Sequence, residues 1–196
     1  MPPIRVLIGV PTAGDIKAQT VASILSNFHN DDKIITLMCF EIGSLIHLNR
    51  KRLVKTAIQI KADYIWFVDT DMAFAPGILE ALLHDSKDIV GANYNQKVIP
   101  LHSTVKMADE NGKLINDPNW KSPSETFECF SIATGCLLVK TSVFSNIPKP
   151  WFFYEDDDSD DDVGEDIWFC MQARKAGYKI WCNPLVKCGH LGTFTY

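Results

Sequence analysis

The sequence has no C-x-x-C pair, although it holds six cysteines, at 39, 129, 136, 170, 182 and 188. That absence removes zinc-site spacing. Most of the six lie inside apolar runs, which predicts buried free thiols. No apolar run reaches the ~18 residues of a membrane span. The opening Met-Pro-Pro-Ile-Arg lacks the layout of a signal peptide, so a cytoplasmic location is expected. Basic clusters are also scarce. Arg50-Lys51-Arg52 stands alone and falls on a predicted helix as a solvated face, so nucleic acid is not an expected partner. No glycine-rich phosphate loop follows the first strand, where Pro11-Thr12-Ala13-Gly14-Asp15 stands, and this disfavours a nucleotidyltransferase.

The net charge of −5 is concentrated. Residues 155–162 hold seven acids and Glu165 and Asp166 add two, leaving 15 acids against 19 bases elsewhere. The tract lacks EF-hand spacing, since Asp161 stands where the turn glycine belongs. It reads as a solvated loop and a candidate lid over the site. At 196 residues, with 46% apolar and 22% charged residues, the chain has the composition of one soluble domain.

What is abundant is buried-strand character around one stretch, Tyr64-Ile65-Trp66-Phe67-Val68-Asp69-Thr70-Asp71. Five apolar residues without polar alternation predict a strand covered on both faces of a mostly parallel sheet. Ligands of such sheets sit at the carboxyl ends of the strands, where Asp69 and Asp71 fall. Two carboxylates this close need a cation or a shared proton. Oxygen ligands suit Mg²⁺ or Mn²⁺, often alongside substrate phosphates.

Around that centre, strands are expected at Arg5–Val10, Ile34–Phe40, Asp88–Ala92, Phe127–Ile132, Cys136–Val139, Tyr178–Trp181 and Pro184–His190. Helices are expected at Lys17–Phe28, Leu45–Ala62, from Pro76 to Leu83, and from Gly164 to Gly177. The last has carboxylates in its first turn, Arg and Lys in its last, and a terminal glycine. Residues 93–125 are polar and irregular, with Asn111-Gly112 marking a hairpin between Val105–Met107 and Leu114–Ile115. A stretch this long is expected to form a substrate surface.

The order of a strand with D-x-D, an irregular region, Gly164-Glu165-Asp166 at a helix start, then Ala176-Gly177-Tyr178-Lys179-Ile180 and a strand ending in His190, resembles the GT-A fold glycosyltransferases. The likeness is to the family-two-like group with short bacterial, phage and viral members, and it spans nearly the whole chain. It implies a three-layer α/β/α sandwich, with about 1–92 as the nucleotide-sugar half and about 93–196 as the acceptor half. It implies a metal-dependent transfer from a UDP- or GDP-sugar to an acceptor hydroxyl, such as that of a glycan. In this likeness Asp71, His190 and Asp69 hold Mn²⁺ or Mg²⁺, with Asp69 also placed at the ribose or the metal's water shell. Pro11, Thr12 and Glu41 match the base and ribose loops, and Asn49 and Arg50 the polar pair near the donor nucleotide. Thr134 and Gly135 match the turn beside the transferred sugar. Asp166 takes the place of the general base, with Glu165 beside it, and the transfer inverts. Two alternatives stand beside this: a non-catalytic nucleotide- or sugar-binding module of the same fold, and a haloacid-dehalogenase-like phosphatase using Asp69 and Asp71.

Overall fold

A computed structural model describes residues 2–110, 113–116, 124–154 and 163–192. The acidic tract with its expected lid, and Asn111-Gly112 with its expected turn, lie outside the described residues.

Seven strands form the central sheet: β1 (Ile4–Thr12), β2 (Ile34–Ile42), β3 (Tyr64–Val68), β5 (Ile89–Ala92), β8 (Phe127–Cys129), β9 (Cys136–Lys140) and β10 (Ile180–Asn183), in the order β2-β1-β3-β9-β5-β10-β8. β1 pairs in parallel with both β2 and β3, and β5 with β10. β9 runs antiparallel between β3 and β5, and β8 antiparallel on the edge. The sheet is therefore mostly of one direction, as the unalternated apolar strands predict.

Five helices flank it: α1 (Ala18–Leu25), α2 (Ile46–Gln59), α3 (Ile78–His84), α4 (Val143–Asn146) and α5 (Glu165–Lys175). Alternate residues of β3 feed two separate cores. Ile65 and Phe67 join Leu53, Val54, Phe144, Phe152 and Phe169 on one side. Trp66 and Val68 join Ile8, Ile24, Leu79 and Leu82 on the other. A strand covered on both faces has no polar side to show, which is why the stretch reads as an unbroken apolar run. Trp151 and Phe152 form no strand. They are buried among the rings of Phe144 and Phe169, which stack on each other.

Several boundaries differ from the periodicity. α1 stops at Leu25 because Asn27 is used elsewhere. Its amide nitrogen donates to Ser23 and Ala75 carbonyls, and its oxygen accepts from the Ile78 and Leu79 amides at the start of α3. Gly77, left-handed at φ 86°, is the residue preceding α3, so Pro76 stands one position before it. β1 runs through Pro11 and Thr12, and β2 through Glu41, because the two strands stay in register to Thr12↔Ile42.

Two short ribbons lie apart from the main sheet. β6 (Lys106–Ala108) pairs with β7 (Leu114–Asn116), as the hairpin reading expects. β11 (Cys188–His190) is shorter than the expected Pro184–His190 and pairs with β4 (Met72–Phe74) rather than with the main sheet. The Leu191 amide also donates to the Asp71 carbonyl at 2.8 Å. This ribbon carries the last histidine onto the D-x-D turn. No disulfide links the six cysteines, and Cys129, Cys136, Cys170 and Cys182 are buried. No helix among the described residues is long and apolar enough to cross a membrane.

Candidate active site

The carboxyl ends of β1, β2 and β3 surround a cavity of about 310 Å³ lined by Pro11, Thr12, Gly43, Asn49, Asp69, Asp71 and His190, among others. Its upper rim is tied by Asn49, whose amide nitrogen donates to the carbonyls of Gly43 (2.7 Å) and Thr12 (3.3 Å). The Thr12 hydroxyl is spent on the turn, donating to Asp15 and accepting from Gly14. Asn49 Oδ1 is buried without a partner. A buried acceptor left unmatched is costly, and a ligand donor reaching it would relieve that cost. Glu41 is not on this wall. The ladder carries β2 past it, and Gly43 and Ser44 line the cavity instead.

The two aspartates have different side-chain partners. Arg50 is only 2% exposed and reaches the Asp69 Oδ1 at 2.8 Å, while its other nitrogen donates to Glu165 Oε1. α2 and α5 thereby meet β3 through one guanidinium, whose fork suits two carboxylates. Arg50 is not in the lining of the 310 Å³ cavity, and Glu165 is the buried partner of Arg50.

Asp71 has other partners. Lys97 Nζ sits on its Oδ2, and His190 Nε2 lies 3.4 Å from its Oδ1. Burial pushes the Asp71 carboxyl up, but His190 and Lys97 outweigh it and hold the group at about 2. His190 Nδ1 lies 2.9 Å from the Asn95 carbonyl, and a cation bound between His190 and Asp71 would require the ring proton on that Nδ1, leaving Nε2 to the metal. One carboxylate and one imidazole nitrogen turned toward each other are a donor pair that fits a divalent cation. Asp69 lines the same cavity, and among the described residues no group of three His, Cys, Asp or Glu side chains has the geometry to hold a metal ion.

Tyr94, just past β5, joins these parts. It is buried, accepts from the Gly135 amide at 2.9 Å, and its ring stands edge-on to His190 with centroids 5.3 Å apart. Burial first, then the charge of Asp69, pushes its phenol well above the ordinary value. Gly135 also accepts from the Asp69 amide. A Cβ at Gly135 would lie 2.3 Å from the Tyr94 hydroxyl and 3.0 Å from Asp69 Oδ2. Gly135→Ala is therefore expected to cost about 1–3 kcal/mol, as overpacking does. Thermal unfolding checks this, and the Gly135→Ala/Tyr94→Phe double variant should recover part of the loss. Thr134 is buried and lines neither this cavity nor the next.

Asp166 opens α5, where its Oδ1 accepts from the Ile167 amide at 2.7 Å. It lines a second cavity of about 320 Å³ with Gln96, Thr104, Lys106 and Ser131. Burial raises its carboxyl, opposed by the charge of Arg50 and by backbone N–H donors, while Asp69 raises it further. The loop Ala133-Thr134-Gly135 leads from this cavity to Asp69. Tyr94 and Lys97 are the site residues that sequence reasoning missed. The signal was the polar run Asn93-Tyr94-Asn95-Gln96-Lys97 directly after a buried strand.

No protein-family profile and no curated protein matches the chain. Solved structures do. The crystal structure of A197 from STIV superposes with a TM-score of 0.67 at 16% identity, over 96% of this chain and 86% of that one. The structure of GalNAc-T7 with UDP, GalNAc and Mn²⁺ superposes with a TM-score of 0.59 at 11% identity, over 98% of this chain and 44% of that one. This chain thus spans under half the length of the latter. Identities this low speak to the fold, and the fold is the GT-A type: a three-layer α/β/α sandwich around a mostly parallel sheet.

Proposed function

We propose that the chain is a metal-dependent glycosyltransferase that takes its sugar from a nucleotide-sugar donor. The observation that carries this reading is the 310 Å³ cavity, which Asn49 and the facing pair Asp71 and His190 line together. Pro11, Thr12 and Asn49 would meet the nucleoside, and Asp71 and His190 would hold Mn²⁺ or Mg²⁺. A divalent cation there supplies positive charge against the negative charge growing on the departing diphosphate. The UDP and Mn²⁺ in the GalNAc-T7 structure support the same assignment.

Asp166 is the general base in this reading. The acceptor hydroxyl would enter the second cavity and give its proton to the Asp166 carboxylate. Its oxygen would bond to the anomeric carbon as the bond from that carbon to the diphosphate oxygen breaks, with inversion. Position at a helix start fixes the carboxylate's direction. Arg50 keeps Asp69 and Glu165 in place, a positioning task.

The alternative of a non-catalytic nucleotide- or sugar-binding module draws support from one observation: Asp166 lines a cavity of its own, apart from the donor cavity. The phosphatase alternative needs Asp69 free as a nucleophile, and the grip of Arg50 counts against it. Release of nucleoside diphosphate decides among them. The expected result is release from one member of a UDP-, GDP- and dTDP-sugar panel, dependent on Mn²⁺ or Mg²⁺ and lost in Asp71→Ala. Tight donor binding without release from any donor would favour the binding module.

A further inference from the structure

Asp71 is claimed twice. The proposed function assigns it to a divalent cation, yet its Oδ2 carries the Lys97 ammonium while His190 faces Oδ1. A divalent ion bound by Asp71 and His190 would stand within a few ångströms of that ammonium, where like charges repel with little water between them. Lys97 and the cation therefore compete for the charge of one carboxylate.

Lys97 is also placed to leave. Its side chain is 40% exposed. It lines a cavity of about 610 Å³ that lies on the far side of His190 and includes Lys17, Val98, Ile99, Leu101 and Leu191. The loop bearing it is pinned at its base, where Gln96 donates to the His102 carbonyl at 2.8 Å and Asn95 bridges Ser103. The tip beyond is exposed, with Ile99 89% accessible. The ammonium can swing into the cavity without disturbing the Asn95 carbonyl that orients His190.

We propose that Lys97 is an internal competitor of the divalent cation for Asp71, so that metal binding ejects the lysine toward the neighbouring cavity. The inference rests on the assignment of Asp71 and His190 to the cation and deepens it. Lys97 sets the affinity of the site for its metal. It also couples that metal to the loop that walls the 610 Å³ cavity. A carboxylate kept neutralised by its own lysine avoids the cost of an unpaired charge, and a cation must exceed that hold before it binds.

The test is Mn²⁺ binding to the whole chain without any nucleotide, followed by electron paramagnetic resonance of the free ion. It compares the unaltered protein with Lys97→Gln, Lys97→Arg and Asp71→Asn. Lys97→Gln is expected to bind Mn²⁺ roughly three- to tenfold more tightly, the scale of releasing a partly exposed ion pair. Lys97→Arg keeps the charge and should bind no more tightly than the unaltered chain, and Asp71→Asn should lose the site. Lys97 is exposed enough that folding is not at stake, and thermal unfolding confirms it. Unchanged or weaker Mn²⁺ binding in Lys97→Gln overturns the proposal, as does absence of binding in every variant. Because no sugar nucleotide is present, failure to bind any donor would defeat the transferase reading while leaving this comparison decisive.

Discussion

Asp166→Asn is expected to lower turnover about 100- to 10,000-fold, the range a positioned general base contributes. Donor affinity should stay unchanged, because Asp166 lines the second cavity and not the one holding Asn49, Asp71 and His190. Asparagine keeps the size of the side chain and removes its ability to accept a proton. The pH profile carries an independent signature. Burial raises the Asp166 carboxyl above the ordinary aspartate value, and Arg50 only partly opposes this. A base works when ionised, so turnover should fall as pH drops through that raised value. The acid limb of the profile should therefore sit higher than an ordinary carboxylate would place it, and it should vanish in Asp166→Asn. Equal loss of donor affinity and turnover would instead mean that Asp166 supports the fold of the site.

Arg50→Ala should be the most damaging single change to stability. One buried guanidinium serves Asp69 and Glu165, and removing it strands Glu165, only 11% exposed, and leaves Asp69 without its partner. Breaking such a pair costs about 3–5 kcal/mol. In a chain of this size that corresponds to a fall of roughly 10 °C in Tm. Arg50→Lys, which keeps the charge but lacks the fork, should fall between. If Arg50 served only to touch the donor, thermal unfolding would be unchanged and nucleotide affinity alone would drop.

The fate of Arg50 shows where the sequence stops being informative. Periodicity put Asn49 and Arg50 near the start of a helix, and nothing in that pattern says which side of the helix meets the sheet. An arginine in a basic triplet reads as solvated, yet Arg50 is buried because Asp69 and Glu165 come to it from positions 19 and 115 residues away. The contact of Glu165 with Arg50 was hidden for the same reason. By contrast, β3 and its D-x-D were legible because the double-sided burial of Ile65, Trp66, Phe67 and Val68 removes polar residues from a local window. The helix from Glu165 was legible through its end charges and Gly177, which is left-handed at φ 87°. His190 was read correctly as the end of a strand, but not its partner. The pairing with Met72 is set by a ribbon that no local pattern encodes. Tyr94 and Lys97 lay in a stretch without period, where composition marks a surface but does not assign roles.

If Asp71 and His190 make a cation-dependent nucleotide-sugar site, calorimetry of donor binding reads it out. The panel is UDP-, GDP- and dTDP-sugars, each titrated with Mn²⁺ and again with EDTA, against the unaltered chain and Asp71→Ala. The expected result is binding of one donor with Mn²⁺, lost with EDTA and lost in Asp71→Ala. Binding of no donor under either condition, or donor binding that ignores both EDTA and Asp71→Ala, would contradict it.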